Sequence, residues 1–331
     1  MSSSSPRDPL RGRRVRSLVL QGVLLAALLS AVALLIVGLV PGSGKRLQHA
    51  AAGWIAVEVV LEAIACAAYA WLFHAVFSHG AYTNTFFRSG QIAVGELGAF
   101  AVVPTGVGGP VLRVWALMRG GMPFRDVAVR SVIHAPFFNF PYVLAALVLG
   151  TSVAVGVGPG HAPLAVALAP LGLVAGALAL GTAATLYVRT HRSEPRARWR
   201  RMAREAVRVI PEGLSEVPSR VRKPGALLGA LGYWAADCGA LVAAFHAAGG
   251  SAPISVIVLA YMLGQLGNAL PLPGGVGGVE PLTVGVLTAS GVDTGLAAAA
   301  IVLYRFISLG IQGTLGAAAV ATLIPALRRT P

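Results

Sequence analysis

The first residues that point to chemistry are ionisable side chains placed inside long apolar stretches. Glu58 and Glu62 are four positions apart, so both lie on one face of a helix. Carboxyl groups at membrane depth are costly and are typical of proton or cation sites. The pair is therefore either such a site or a polar seam near the outer end of the helix, and both interpretations stay open here.

A second set of charged residues is expected to form a central polar network. It comprises Glu96, Asp237, Glu280 and Arg305. A charge at the centre of a bilayer costs about 2.5–3.5 kcal/mol on insertion scales, so such residues face the interior and pair with one another. Arg305 is the natural partner of Glu280 or Asp237, because pairing offsets part of the cost of removing both charges from water. A purely structural ion pair is the alternative.

Two motifs rich in glycine and proline interrupt the apolar sequence. "VVPTGVGGPVLR" covers residues 102–113 and "LPLPGGVGGVEPL" covers residues 270–282. At an offset of 169 positions the two regions share eight identical residues between 95 and 109, which indicates an internal duplication. Irregular backbone is tolerated at membrane depth only where it is buried in protein or lines a wet cavity. Each motif is therefore predicted to form the tip of a helical hairpin.

These tips are also the candidate binding site, because free backbone amides at helix ends attract anionic groups. The candidate substrate-binding residues are Pro104, Gly106, Gly108, Gly109, Arg113, Pro273, Gly274, Gly275, Gly277 and Glu280. Arg113 is expected to contact a phosphate from the cytoplasmic side. The alternative is that the glycines only allow helices to pack closely.

The elements that position these residues are membrane-spanning helices. The chain of 331 residues is 56% hydrophobic and 11% charged, with a mean hydropathy of +0.75. Crossing about 30 Å of hydrocarbon takes about 20 apolar residues in a helix. Six stretches meet this requirement, namely 18–40, 50–77, 131–157, 163–188, 226–248 and 293–324.

The net charge of +14 is explained by topology and requires no nucleic-acid partner. With the N-terminus in the cytoplasm, 23 of the 26 basic residues lie on the cytoplasmic side, as the positive-inside rule requires. Eleven of them fall in the loop 189–224, which is also suited to anionic lipid headgroups. Both termini are therefore expected in the cytoplasm.

The expected fold is an all-α polytopic membrane protein of about six full spans and two re-entrant or broken hairpins. Counted from a cytoplasmic N-terminus, the first hairpin opens to the inside and the second to the outside, which predicts two inverted repeats. The expected regions are a tail 1–17, a first repeat 18–188, a loop 189–224, a second repeat core 225–325 and a tail 326–331.

Several other chemistries are not supported by any motif. The glycine motifs lack the Gly-Lys-Ser/Thr ending of a phosphate-binding loop, and the histidines lack metal-ligand spacing. Cys66 and Cys238 both fall inside spans, so no disulfide framework is expected. We expect no cofactor, no metal and no enzymatic activity.

The second motif, followed by "VLYRFISLGIQGTLG", resembles the lysylphosphatidylglycerol synthase transmembrane region family, a flippase-like membrane domain. The residues that carry the resemblance are Trp234, Asp237, Pro271, Pro273, Gly274, Gly275, Gly277, Glu280, Tyr304 and Arg305, with Pro104, Gly108, Gly109 and Arg113 in the first half. It extends over residues 18–325, and a standalone form without the synthase domain is expected. The first half departs from the family pattern, because Pro110 replaces an acid and His134-Ala135 replaces an acid-Arg pair.

The resemblance implies translocation of a phospholipid or lipid-linked substrate between leaflets of the bacterial inner membrane. Membrane lipids, anionic phospholipids among them, are the expected partners, and no nucleic acid is. A proton- or ion-coupled transporter of small solutes is the first alternative, and Glu58 and Glu62 matter most for it. An intramembrane lipid-modifying enzyme and a non-transporting scaffold are the others.

Overall fold

A computed structural model of the protein describes residues 27, 29–78, 82, 84–103, 107–157, 160–190, 208–221, 224–270 and 272–328. The candidate residues Pro104 and Gly106, residue Pro271, the N-terminal tail and most of the basic loop lie outside these ranges. The described residues are largely helical. The helices are α1 (Leu29–Leu39), α2 (Ser43–Gln48), α3 (Ala52–Phe77), α4 (Phe86–Val102), α5 (Gly108–Arg119), α6 (Phe124–Ala154), α7 (Leu164–Thr190), α8 (Ile210–Val221), α9 (Pro224–Ala247), α10 (Ile254–Gly264), α11 (Val279–Ala289) and α12 (Thr294–Arg328).

Five described helices, α3, α6, α7, α9 and α12, are long and apolar enough to cross a membrane. They confirm five of the six predicted spans, although the helices extend a few residues beyond several predicted boundaries. The remaining span, 18–40, lies partly outside the described residues, and its described part is α1. The protein is therefore a multi-pass, membrane-embedded helical protein.

The centre of the molecule is built on the antiparallel pair α3 and α9, which make the most extensive contact among the described helices. At one end the amide of Ala51 donates a hydrogen bond to the carbonyl of Ala247, 2.9 Å away. Near the other end, a Cβ at Gly229 would lie 2.6 Å from the backbone nitrogen of Leu72. Glycine at this position therefore allows the two backbones to approach closely.

Both glycine motifs interrupt helices. In the first half the chain passes from α4 to α5, and these two helices pack on each other. In the second half, α10 and α11 pack together and are joined by two short 3-10 helices, Gln265–Ala269 and Pro273–Gly275. Positive φ angles at Gly274, Gly275 and Gly277, between 55° and 87°, turn this backbone and favour glycine there.

The ends of the two hairpins contact each other. The segment Pro273–Gly275 lies against α4, and Ala101 of α4 packs with Val276 and with Leu309 of α12. Farther along α4, Gly98 faces Gly316 of α12 so closely that a Cβ on Gly98 would lie 2.6 Å from the opposite Cα. The end of α4 and the segment Pro273–Gly275 therefore contact each other, and both pack against α12.

Candidate functional site

A cavity of about 510 Å³ lies between the two halves of the protein. Residues of α3, α4, α5 and α6 from the first half line it, together with residues of α9, α10 and α12 from the second. Three exposed lining residues, Pro110 of α5 and Ala135 and Asn139 of α6, show that the cavity is open on this side of the molecule. The cavity is therefore an open, mixed polar and aromatic chamber.

A buried ion pair joins α12 to the tip of the second hairpin. Arg305 Nε donates to Glu280 Oε1 at 2.8 Å, and both side chains are less than a tenth exposed. Another nitrogen of the same guanidinium donates to the carbonyl of Gly274. The second carboxylate oxygen of Glu280 accepts from the amide of Gly277 at 2.6 Å. The pairing of Arg305 with Glu280 was one of the two expected from the sequence.

A second buried ion pair lies within the first hairpin. Arg113 Nε of α5 donates to both carboxylate oxygens of Glu96 of α4, at 3.1 and 3.0 Å, and an NH2 group adds a further bond. The guanidinium also lies over the ring of Phe77, 5.5 Å from its centroid. A Cβ at Gly109 would approach the Glu96 side chain to 2.9 Å, so glycine leaves room for this pair. Glu96 is thus neutralised locally by Arg113.

Asp237 is held by tyrosines and not by Arg305. Its carboxylate accepts one hydrogen bond from Tyr304, at 2.7 Å, and one from Tyr261, and the residue is 3% exposed. The residues expected to form one central polar network thus take part in three separate contacts: two ion pairs and one aspartate held by two hydroxyl groups. Tyr261 was not anticipated from the sequence.

An aromatic wall on α3, α6 and α9 forms much of the cavity lining and was missed by the sequence analysis. Its members are Tyr69, Phe138, Tyr142, Tyr233 and Trp234, whose neighbouring ring centroids lie 5.0–5.5 Å apart. Tyrosine and tryptophan in an apolar span are a signal for such a wall, because each carries a polar group that needs a partner. Here the Trp234 ring nitrogen donates to the carbonyl of Phe138 at 2.6 Å.

Two residues on the cavity lining each carry a buried polar atom without a partner in the described part of the chain. His134 Nε2 and Asn268 Oδ1 are buried and have no hydrogen-bond partner among the described residues. The His134 ring stacks on Phe138 with centroids 5.7 Å apart. A buried polar atom without a partner is costly, so both groups favour a bound polar molecule or water.

Glu58 and Glu62 lie behind the cavity wall. Both are 0% exposed, and Glu58 has no hydrogen-bond partner within the described part of the chain. Glu62 is close enough to Asp237 to interact with it electrostatically. Both side chains thus face the protein interior.

The glycine tips differ from a simple anion-binding site. Gly109 and Arg113 line the cavity, whereas Gly274, Gly277 and Glu280 are engaged with Arg305 or with one another. Gly108 packs against α4, and Gly275 contacts Asn268. Pro273 begins the second short 3-10 helix. Close packing therefore explains Gly108 and Gly109 at least as well as ligand binding does.

The sequence was compared with known families and with curated proteins. The sequence model of a family described as "Lysylphosphatidylglycerol synthase TM region" matches residues 18–316. The chain belongs to this family. No curated protein matches the chain. The family region includes both hairpins, both ion pairs and the cavity lining.

The positions where this family member departs from the pattern noted in the sequence analysis are clustered in space. Pro110 on α5 and His134 and Ala135 on α6 all line the cavity. The first half nevertheless contains a buried ion pair, because Arg113 of α5 pairs with Glu96 of α4 across the non-helical segment between these two helices.

Proposed function

We propose that this protein moves a phospholipid or lipid-linked molecule between the leaflets of the bacterial inner membrane without changing it chemically. The observation that carries the proposal is the shape of the cavity. Its interior combines charged and polar groups with the aromatic wall, and its open side lies along Pro110, Ala135 and Asn139. A headgroup can enter there while its apolar chains stay outside the protein.

The charges of the cavity favour a zwitterionic headgroup over a purely anionic one. Arg113 and Arg305 each already carry a carboxylate partner, so the cavity has no excess of free positive charge. A phosphate that contacts Arg113 has to share its guanidinium with Glu96. An ammonium group would be attracted by the aromatic wall and by Asp237. Neutral polar parts of a headgroup can bond to His134 and Asn268.

The helix packing supports an inverted repeat. The equivalent segments beginning at Cys66 and Cys238 belong to α3 and α9, which pack antiparallel about their middle regions. At the offset of 169 positions, α4 corresponds to α10 and α6 corresponds to α12. Helix α4 packs along α12, and the corresponding pair, α10 and α6, also pack on each other. Such exchanged contacts are expected of two units related by an axis in the membrane plane. We propose that both hairpins are re-entrant and that both termini are cytoplasmic.

Leaflet exchange of fluorescent phospholipids in proteoliposomes tests this function. Ala135→Trp should fill the open side of the cavity and slow the exchange, while Leu144→Trp, on an exposed part of the same helix, should leave it unchanged. Equal rates in wild type, both variants and protein-free vesicles would contradict the proposal. Mass spectra of the recovered lipids should contain no new species, because the proposal includes no chemical step.

A coupled transporter of small solutes is the second candidate, and the buried carboxyl groups of Glu58 and Glu62, which form no ion pair with an arginine among the described residues, favour it. The same vesicles distinguish the two candidates. A small-solute transporter would leave lipid exchange at the protein-free rate, and Ala135→Trp would then have no effect on it.

A further inference from the structure

We propose that Glu62 binds a proton that enters past Glu58, and that transfer of this proton towards Asp237 couples a proton gradient to movement of the substrate. The inference rests on the transport function proposed above and adds its energy source. In each cycle one proton binds on one side and one is released through the cavity on the other.

The first step of the path is set by α3. With a rise of about 1.5 Å per residue, Glu58 lies about 9 Å and Glu62 about 15 Å from the start of the helix. That end of α3 is joined to the end of α9 through Ala51 and Ala247, and the proposed topology places it outside. The two carboxyl groups therefore follow one another from the outer end of the helix towards its middle.

The second step connects Glu62 to the cavity. Across the α3–α9 contact, Glu62 interacts with Asp237, and the hydroxyl of Ser308 on α12 is also near. Asp237 lines the cavity and is held by the hydroxyl groups of Tyr261 and Tyr304. A proton on Glu62 is thus one neighbouring group away from the substrate chamber.

The four buried glutamates of the described residues differ in how their charge is compensated. Glu96 and Glu280 each have an arginine, and that pairing offsets much of the cost of burial. Glu58 and Glu62 are just as deeply buried but form no ion pair with an arginine among the described residues, and the polar groups near Glu62 are the Ser308 hydroxyl and the acid Asp237. An uncompensated carboxylate at such a depth is costly, and binding of a proton removes that cost.

The groups around Glu62 are acidic or neutral. Those that face it are Glu58 and Cys66 on α3, Asp237 and Tyr233 on α9, and Tyr304 and Ser308 on α12. Helices α4 and α6 present Glu96 and His134, which face Tyr69 about two turns farther along α3. Arg305 acts on Asp237. Release of the proton from Glu62 therefore depends on the charge state of Asp237, which faces the substrate chamber.

The experiment uses proteoliposomes of the full chain that contain an entrapped pH-sensitive dye and a fluorescent phospholipid. An acidic outer buffer imposes the gradient, and the two signals report proton entry and lipid exchange separately. Glu62→Gln tests whether Glu62 binds the proton, and Glu58→Gln tests whether the proton enters past Glu58. Both variants remove an unpaired charge at nearly constant shape, so folding should be preserved. The matched control is Glu212→Gln, at an exposed acid that pairs with Arg125.

Wild type should admit protons faster than protein-free vesicles, and the gradient should accelerate lipid exchange. Glu62→Gln should lose both effects while keeping the exchange seen without a gradient, and Glu212→Gln should behave like wild type. Proton entry that is unchanged in Glu62→Gln overturns the inference even if lipid exchange confirms the proposed function. Entry that depends on Glu62 without any lipid exchange supports the proton path and refutes the lipid substrate. Acceleration that follows a sodium gradient, and not the pH gradient, also overturns the proton assignment.

Discussion

The buried pair of Arg305 and Glu280 allows a quantitative test of how the second hairpin is held. Arg305→Gln removes the positive charge and leaves both the Glu280 carboxylate and the Gly274 carbonyl without this donor. Glu280→Gln keeps an amide oxygen that still accepts from Arg305. We therefore expect the arginine variant to be the more damaging of the two.

The magnitude follows from the burial of the pair, whose side chains are 7% and 2% exposed. Breaking a buried pair by removing one partner costs about 3–5 kcal/mol, because the remaining charge is left uncompensated. The double variant contains no uncompensated charge, so its loss should be smaller than the sum of the single losses by about 2–3 kcal/mol. The free energy of unfolding in mixed detergent micelles measures all three variants.

The chain supplies a matched control in the exposed pair of Arg46 and Asp293, whose side chains are 34% and 62% exposed. An exposed pair contributes about 0–1 kcal/mol, because water and salt screen both charges. Arg46→Gln should therefore have little effect. If Arg305→Gln costs no more than Arg46→Gln, or if the losses at Arg305 and Glu280 simply add, the pair does not hold the hairpin.

Three further predictions concern packing, hydrogen bonding and topology. Gly98→Ala should destabilise the protein by about 1–3 kcal/mol in thermal or detergent unfolding, because its methyl group would meet the α12 backbone, whereas Gly172→Ala, in open space on α7, should not. Tyr304→Phe should cost about 1.5–3 kcal/mol through loss of a hydrogen bond to a buried carboxylate, and a loss near zero would contradict the assigned contact. In a background lacking native cysteines, Arg119→Cys should react with an impermeant thiol reagent only from the cytoplasmic side and Ala289→Cys only from the outer side. Reaction of both from one side would end the inverted-repeat interpretation.

The elements of the fold that were predictable from the sequence are those dictated by the membrane itself. Long apolar runs predicted five of the described helices, because only a helix satisfies its own backbone in hydrocarbon. The cost of a buried charge likewise predicted a partner for Arg305. The choice of Glu280 over Asp237 required the structure, because it depends on how the backbone turns at the tip.

The parts of the site that were not predictable depend on contacts between residues that lie on different helices, with non-helical segments between them. Glu96 and Arg113 are separated by an interrupted segment, so helical periodicity gives no indication that they meet. The aromatic wall was hidden because rings in an apolar span are also typical of ordinary packing. The backbone amides at the hairpin tips were expected to bind an anionic group of a ligand. The Gly277 amide instead donates a hydrogen bond to the carboxylate of Glu280.

The two ion pairs give the duplicated halves different mechanical properties. Glu96 and Arg113 belong to the same hairpin, so a rigid shift of α4 with α5 carries both charges along and leaves their contact intact. Glu280 and Arg305 belong to different elements, so sliding the second hairpin past α12 pulls opposite charges apart in a low-dielectric interior. A shift of the first hairpin therefore has to break the hydrogen bond from Gln91 to Thr322 of α12 and the one between His74 and Ser89, but it keeps its ion pair. A shift of the second hairpin past α12 has to separate an ion pair as well.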